Sequence, residues 1–259
     1  MENLSNFFEL CDQVAIVTGA GSGIGQAIAA GYARQGARIA VVDLNKENAA
    51  VVAGEIIESG GKALPLECDV SKTNDAVWVV SEVMNHFGQI DILVNNAGIG
   101  DRAMAEEMTD DMWDKVLAIN LTGAFLFCRE AGREMIKRGK GGRIINMASI
   151  AGLVGLDTGN ANYCASKGGL IALTRCLAIE WAKYGILVNA IAPSHVRTPL
   201  IASLMKEKPE VEACFLDNIP LGRIGEPDDV VGPAVFLASP AASFITGHTL
   251  IVDGGHTAR

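Results

Sequence analysis

The chain has 259 residues, 49% of them apolar, with a formal net charge of −9 and a pI near 5.0. That balance argues against general affinity for nucleic acid or for an anionic membrane surface, and no stretch reaches the ~18 apolar residues that a membrane helix needs. The length suits one large domain over residues 1–259, and a mean hydropathy of +0.27 points to apolar surface buried between subunits as well as in a core.

The first residues, Met1-Glu-Asn-Leu-Ser-Asn-Phe-Phe8, show no basic region followed by an apolar core. Next, Val14-Ala-Ile-Val-Thr18 reads as a short strand that breaks into Gly19-Ala-Gly-Ser-Gly-Ile-Gly25 and then into a helical pattern. Arg38 to Asp43 is the second strand. A helix N-terminus preceded by glycines offers unpaired N–H groups and a positive dipole end to a phosphate. Asp43, at the tip of the second strand, is placed to accept hydrogen bonds from an adenine ribose. A glycine loop alone also fits a plain tight turn; here the strand before, the helix after and the acidic strand tip favour a dinucleotide.

The alternation continues with a helix over Lys46 to Ser59, a strand over Ala63 to Cys68, a helix over Thr73 to Phe87 stopped by Gly88, and a strand over Ile90 to Asn95. Such alternation implies parallel βαβ units with ligand sites outside the carboxyl ends of the strands, where Asp69-Val70 and Asn95-Asn96-Ala97-Gly98 fall. Thr109 to Arg138 reads as one helix, with the polar Asn120 amid apolar neighbours, which by itself fits a hydrogen-bonded core amide. Arg143 to Ser149 is a further strand that delivers Ser149 at its end.

In the following helix Tyr163 and Lys167 lie one turn apart on one face, with Leu170, Ile171, Leu173 and Leu177 at helical spacing. A lysine cation close to a phenol favours the phenolate, so that a tyrosine can serve as base toward an alcohol or acid toward a carbonyl. A serine hydroxyl nearby can share charge developing on a substrate oxygen. Alone, the pair also fits an ordinary exposed helix. Ile186 to Ala192 is another strand, and the stretch of about 193–218 beyond it, with Pro199 and Pro209, reads as irregular, either a substrate lid or a surface excursion. A helix over Asp228 to Ser239 and a strand over Thr249 to Val252 close the chain. The six cysteines and four histidines show neither a CxxC pair nor metal-ligand spacing, which is the expectation for reduced thiols in a cytoplasmic protein without a metal.

Taken together, Thr18-Gly19-Ala-Gly-Ser-Gly23-Ile-Gly25, Asp43, Asp69-Val70, Asn95-Asn-Ala-Gly98, Asn120, Ser149, Tyr163-x-x-x-Lys167, the Pro193 loop and Ile251-Val-Asp-Gly-Gly255 resemble the short-chain dehydrogenase/reductase superfamily over essentially the whole length. The resemblance implies an α/β fold, a Rossmann-like doubly wound parallel seven-stranded sheet with helices on both faces. It also implies a nicotinamide cofactor held by Gly19, Ser22, Gly23, Ile24, Gly25, Asp43, Asp69, Val70, Asn96, Ala97, Gly98, Tyr163, Lys167, Pro193, Val196 and Thr198. Within the implied tetrad, Tyr163 is the acid/base, Ser149 holds the substrate oxygen, Lys167 lowers the tyrosine pKa and binds the nicotinamide ribose, and Asn120 holds a relay water.

Two departures stand out. Ser149 and Tyr163 are one residue further apart than is usual, and Ser194 replaces the glycine after Pro193, next to His195, which reads as a solvated loop residue or as one facing the substrate. Asp43 would repel a 2′-phosphate, and Ser22 stands where users of the phosphorylated cofactor often carry a basic residue, so NAD is expected over NADP. Segments from Met205 to Pro227 and from Phe236 to Gly247 are similar to galactitol- and gluconate-type polyol and sugar-acid dehydrogenases. The expectation is oxidation of a secondary alcohol by a homotetramer. Reduction of a 3-oxoacyl thioester is the nearest rival, and a non-catalytic dinucleotide sensor is the rival of another class.

Overall fold

A computed structural model describes residues 7–258 apart from 157, 158 and 208. Strand β1 (Val14–Thr18) is buried at every position, as is β4 (Ile92–Asn95). Strands covered on both faces read as near-continuous apolar runs, broken here only at the terminal Thr18 and Asn95, which is why these two show no alternation. With β2 (Arg38–Asp43), β3 (Lys62–Glu67), β5 (Gly142–Met147), β6 (Ile186–Pro193) and β7 (Thr249–Val252) they form one parallel sheet in the order β3-β2-β1-β4-β5-β6-β7. The order reverses between β1 and β4, and that switch point opens a crevice at the carboxyl ends of the strands.

Helices α1 (Gly23–Arg34), α2 (Lys46–Glu58) and α9 (Pro227–Ala238) cover one face, through a core that includes Ile28, Tyr32, Val52, Ile56, Val230 and Leu237. Tyr32 is fully buried, and its hydroxyl donates to the Ala234 carbonyl at 2.9 Å, fixing α1 on α9. On the other face, α3 (Thr73–Phe87), α5 (Ala124–Arg138) and α6 (Ala161–Trp181) bury Val79, Val83, Phe127, Met135 and Leu177. Each large apolar side chain so buried contributes about 1.5–3 kcal/mol. The remaining helices are α4 (Asp110–Leu117), α7 (Pro199–Glu207) and α8 (Pro209–Asp217).

Two elements differ from the sequence expectation. The single helix expected over Thr109 to Arg138 is α4 and α5 joined by a π-helical segment, Ala118–Gly123. Its apolar spacing continues through the wider turn, so periodicity alone does not register the change. The stretch expected to be irregular contains α7 and α8, and each begins at a proline. At the first helical position the missing proline N–H costs nothing, so Pro199 and Pro209 start helices here instead of breaking them. Met205, Phe215 and Ile224 make a small core of their own with Ile201 and Leu216.

Candidate active site

The glycine loop between β1 and α1 is packed so that only its backbone can face a ligand. A Cβ on Gly25 would stand 2.1 Å from the Gly19 carbonyl oxygen, and one on Gly19 would stand 2.8 Å from the Ala97 Cα. Asn96 clamps this loop, its Nδ2 donating to the Thr18 and Gly19 carbonyls at 3.0 Å each. Thr18 Oγ1 in turn accepts from the Asn96 and Ala97 N–H groups. The amino end of α1, at Ser22 and Gly23, has no side-chain cap and no acidic residue in its first turn, while Ile24 turns into the core. Its leading N–H groups and positive dipole end are therefore open to a phosphate, and the residues present fit a dinucleotide. At the tip of β2 the Asp43 carboxylate accepts from the Gly21 N–H at 2.8 Å and the Asn45 N–H at 2.9 Å, which fixes its orientation beside the loop.

Further along the crevice, the Asp69 carboxylate is engaged locally, accepting from the Ser71 N–H and hydroxyl at 3.0 and 2.7 Å. Val70 packs its backbone against the π-helical segment, where a Cβ on Gly123 would stand 2.9 Å from the Val70 carbonyl oxygen. Asn95 is buried and donates to Asn146 Oδ1 at 2.9 Å. The amides of Asn95 and Asn96 are therefore directed into the scaffold, at a strand tip that the sequence left open as a ligand contact or a turn.

Ser149, just past β5, and Tyr163, in the first turn of α6, lie near enough for the serine hydroxyl to favour the phenolate. Ser149 also accepts from the Ala151 N–H at 3.1 Å, which orients its hydroxyl at the start of a 3₁₀ turn over Ile150–Gly152. Lys167 is buried on the same helix, its Nζ donating to the Met147 carbonyl at 2.6 Å and standing 5.6 Å from the centre of the Tyr163 ring. Asn120 Oδ1 accepts from the Ile99 N–H at 2.8 Å, and its Nδ2 donates to the Ile99 carbonyl at 2.9 Å and to Ser166 Oγ at 3.1 Å. Ser166 passes that link to the Tyr163 carbonyl at 2.8 Å. Gly98 closes the group, since a Cβ there would lie 3.3 Å from Asn120 Oδ1 and 3.4 Å from Lys167 Nζ. The π-helical segment carries Asn120 to this point.

Burial pushes the Tyr163 phenol above its ordinary value, with a lowering contribution from the Ser149 hydrogen bond, an opposing one from Cys164 and a further lowering one from Arg102; Lys167 is not among these influences. Burial pushes the Lys167 ammonium down to about 8, so it keeps most of its charge at neutral pH. In the protein alone, desolvation outweighs the effect of a cation whose hydrogen bond goes to Met147.

At the end of β6, Pro193 pairs with Val252 of β7, and beyond it Val196 bridges to Gly225. Thr198 lies against the glycine loop, 3.2 Å from where a Cβ on Gly23 would be. His195 is not a solvated loop residue. Its ring stacks on Phe215 with centroids 3.7 Å apart, and burial with the nearby charges of His256 and Arg102 pushes it down to about 4.

Sequence reasoning passed over Asn162, which is fully buried. Its Nδ2 donates to the Asp101 and Met112 carbonyls and its Oδ1 accepts from the Tyr163 N–H. A polar residue directly before the tyrosine was the available signal. Arg102, whose charge reaches both Tyr163 and His195, gave none, because it lies in a stretch without periodicity.

A parallel sheet with its switch-point crevice, an uncapped α1 beside it and a Ser149–Tyr163–Lys167 group at the strand ends define a dinucleotide-dependent oxidoreductase site. The chain belongs to the short-chain dehydrogenase/reductase family: a family described as enoyl-(acyl carrier protein) reductase matches residues 19–257. Its relatives include a D-threitol dehydrogenase of Mycolicibacterium smegmatis, 46% identical over 97% of this chain and 95% of the relative. An NAD-dependent glycerol dehydrogenase of Listeria innocua is 43% identical over 97% of this chain and 96% of its own length. A gluconate 5-dehydrogenase structure from Burkholderia cenocepacia, in complex with NADP and tartrate, superposes with a TM-score of 0.93 at 36% identity, covering 99% of this chain and 100% of that one. Among the described residues no helix is long and apolar enough to cross a membrane.

Proposed function

We propose that the protein oxidises a secondary alcohol of a polyol or sugar acid, with NAD as hydride acceptor. The observation that carries this reading is the placement of Ser149, Tyr163 and Lys167 together at the strand ends, on the side of the sheet where the glycine loop leads into the uncapped amino end of α1. The likeness to threitol and glycerol dehydrogenases and to a gluconate enzyme supports the substrate class.

The bound nicotinamide supplies the carbon that accepts or returns a hydride. Gly19, Ser22, Gly23 and Gly25 would receive the pyrophosphate. Asp43 would accept from the adenine ribose hydroxyls and disfavour a 2′-phosphate, which supports NAD over NADP. Tyr163 takes the alcohol proton, and Ser149, near enough to favour the phenolate, donates to the substrate oxygen and stabilises the charge that develops there. Lys167 would hold the nicotinamide ribose and offers a positive charge to the phenolate as it forms. Asn120, fixed on Ile99, steadies the path by which the proton leaves toward solvent. Exposed Phe125 and Ile179 on α5 and α6 support pairing of these helices in a homotetramer, and the reading places the protein in the cytoplasm.

The test is the appearance of reduced-nicotinamide absorbance with NAD and a panel of polyols, aldonic acids and hydroxyacids, with Tyr163→Phe in parallel. Turnover on a polyol or aldonic acid should fall by about 10²–10⁴ in the variant while NAD affinity stays the same. A protein that reduces 3-oxoacyl thioesters and ignores the panel belongs to the acyl branch, and NAD binding unaccompanied by any turnover marks a sensor.

A further inference from the structure

The loop after β6 departs from the family where Ser194 replaces a glycine, and the structure shows what the serine touches. Its Oγ lies 3.0 Å from Nδ1 of His256, in the turn that follows β7, and its N–H donates to the Val252 carbonyl at 3.2 Å. That turn is firmly built. The Asp253 carboxylate accepts from the Gly255 N–H at 2.9 Å and from both the N–H and the hydroxyl of Thr257 at 2.7 Å. These hydrogen bonds hold the Asp253 carboxyl below the usual range against the opposing effect of burial, the largest single influence. The turn also grips the chain leaving α8, through Leu221 N–H to the Gly254 carbonyl at 3.1 Å. Next to Ser194, the His195 ring lies 5.6 Å from that of His256 and stacks on Phe215 of α8 at 3.7 Å. One row of contacts therefore runs from the carboxyl-terminal turn through the loop after β6 to α8.

We propose that His256 is a positioning residue for the substrate pocket: by holding Ser194 it fixes the loop after β6, and through the His195–Phe215 stack it seats α8 at the edge of the crevice. This rests on the dehydrogenase reading for the word substrate, and not for the coupling itself. Ser194 is the serine the turn requires, since glycine there would have no hydroxyl for His256.

Hydrogen exchange on the cofactor-free protein tests the coupling without reference to activity. His256→Ala and Ser194→Ala should each speed exchange in peptides covering 193–198 and 212–219 by about fivefold or more, with 14–34 unchanged. The double variant should be no worse than either single one, and His256→Asn, whose amide oxygen can accept from Ser194, should restore protection. Unchanged exchange over 212–219 in both single variants, or strictly additive effects in the double variant, would overturn the proposal. On the alcohol that the panel identifies, His256→Ala should raise KM about fivefold with kcat within about twofold, since the tetrad is untouched. Absence of turnover in the wild-type protein would remove the dehydrogenase reading while leaving the exchange result to decide the coupling.

Discussion

Lys167 donates to the main-chain carbonyl of Met147 at 2.6 Å from a buried position, and burial lowers its ammonium to about 8 from an ordinary 10.5. Between those two values the unfolded chain binds a proton that the folded chain has given up. Stability therefore rises with pH across that window, and the cost of the buried charge is felt in full below pH 8. That cost is on the order of 3 kcal/mol, partly offset by the hydrogen bond. Lys167→Met should melt at a higher temperature than the wild type at pH 7, and the gap should narrow as pH climbs from 8 to 10.5, while turnover is lost. Thermal melts of both proteins over that range read the cost of the buried charge directly.

Asp43 and Gly21 give the cofactor prediction. The carboxylate is held by the Gly21 and Asn45 N–H groups and presents its charge beside the loop. Asp43→Ser removes the repulsion of a 2′-phosphate together with an acceptor for the ribose. NADP affinity should rise about tenfold and NAD affinity fall by a similar factor, as read by quenching of protein fluorescence. Equal affinity of the wild-type protein for the two dinucleotides would contradict the preference.

Much of this architecture was legible because parallel strands and glycine turns leave local marks. Val14 to Val17 is apolar throughout because both faces of the strand are covered, and Gly88 does end α3, in a left-handed conformation. What was missed depends on contacts across the fold. The hydrogen bonds by which Asn96 holds Thr18 and Gly19, and Asp69 holds Ser71, leave no such mark, because no spacing rule reveals an amide that clamps a loop. The π-helical segment around Asn120 and the stacked ring of His195 are likewise set by partners distant in sequence, Ile99 and Phe215.

Gly25 and Gly54 provide a paired test of packing. A methyl group on Gly25 would meet the Gly19 carbonyl oxygen at 2.1 Å, whereas one on Gly54, in α2, meets nothing within 4 Å. Gly25→Ala should move the glycine loop off α1 and reduce NAD binding by at least about tenfold, with a stability loss of about 1–3 kcal/mol. Gly54→Ala should stabilise the protein by about 0.5–1 kcal/mol, because alanine limits the unfolded chain and fits the helix. Denaturant midpoints, with NAD titration of each variant, separate the two.

Asn162 is fully buried, and its amide serves three main-chain groups: it donates to the Asp101 carbonyl at 3.0 Å and the Met112 carbonyl at 3.2 Å, and accepts from the Tyr163 N–H at 2.7 Å. It joins the stretch after β4, helix α4 and the first turn of α6, so the position of the Tyr163 backbone depends on it. Asn162→Ala leaves those groups unpaired and should cost about 1–3 kcal/mol for the poorest-satisfied of them. Asn162→Asp keeps the acceptor but sets a negative charge against two carbonyl oxygens, so it should melt below the alanine variant. Both should lower kcat more than they raise KM, because the phenol is displaced while the rest of the pocket is kept. An alanine variant with wild-type kcat at a temperature well below its melting point would confine Asn162 to a purely structural role, and Tyr163 would then be positioned by Ser149 and the helix alone.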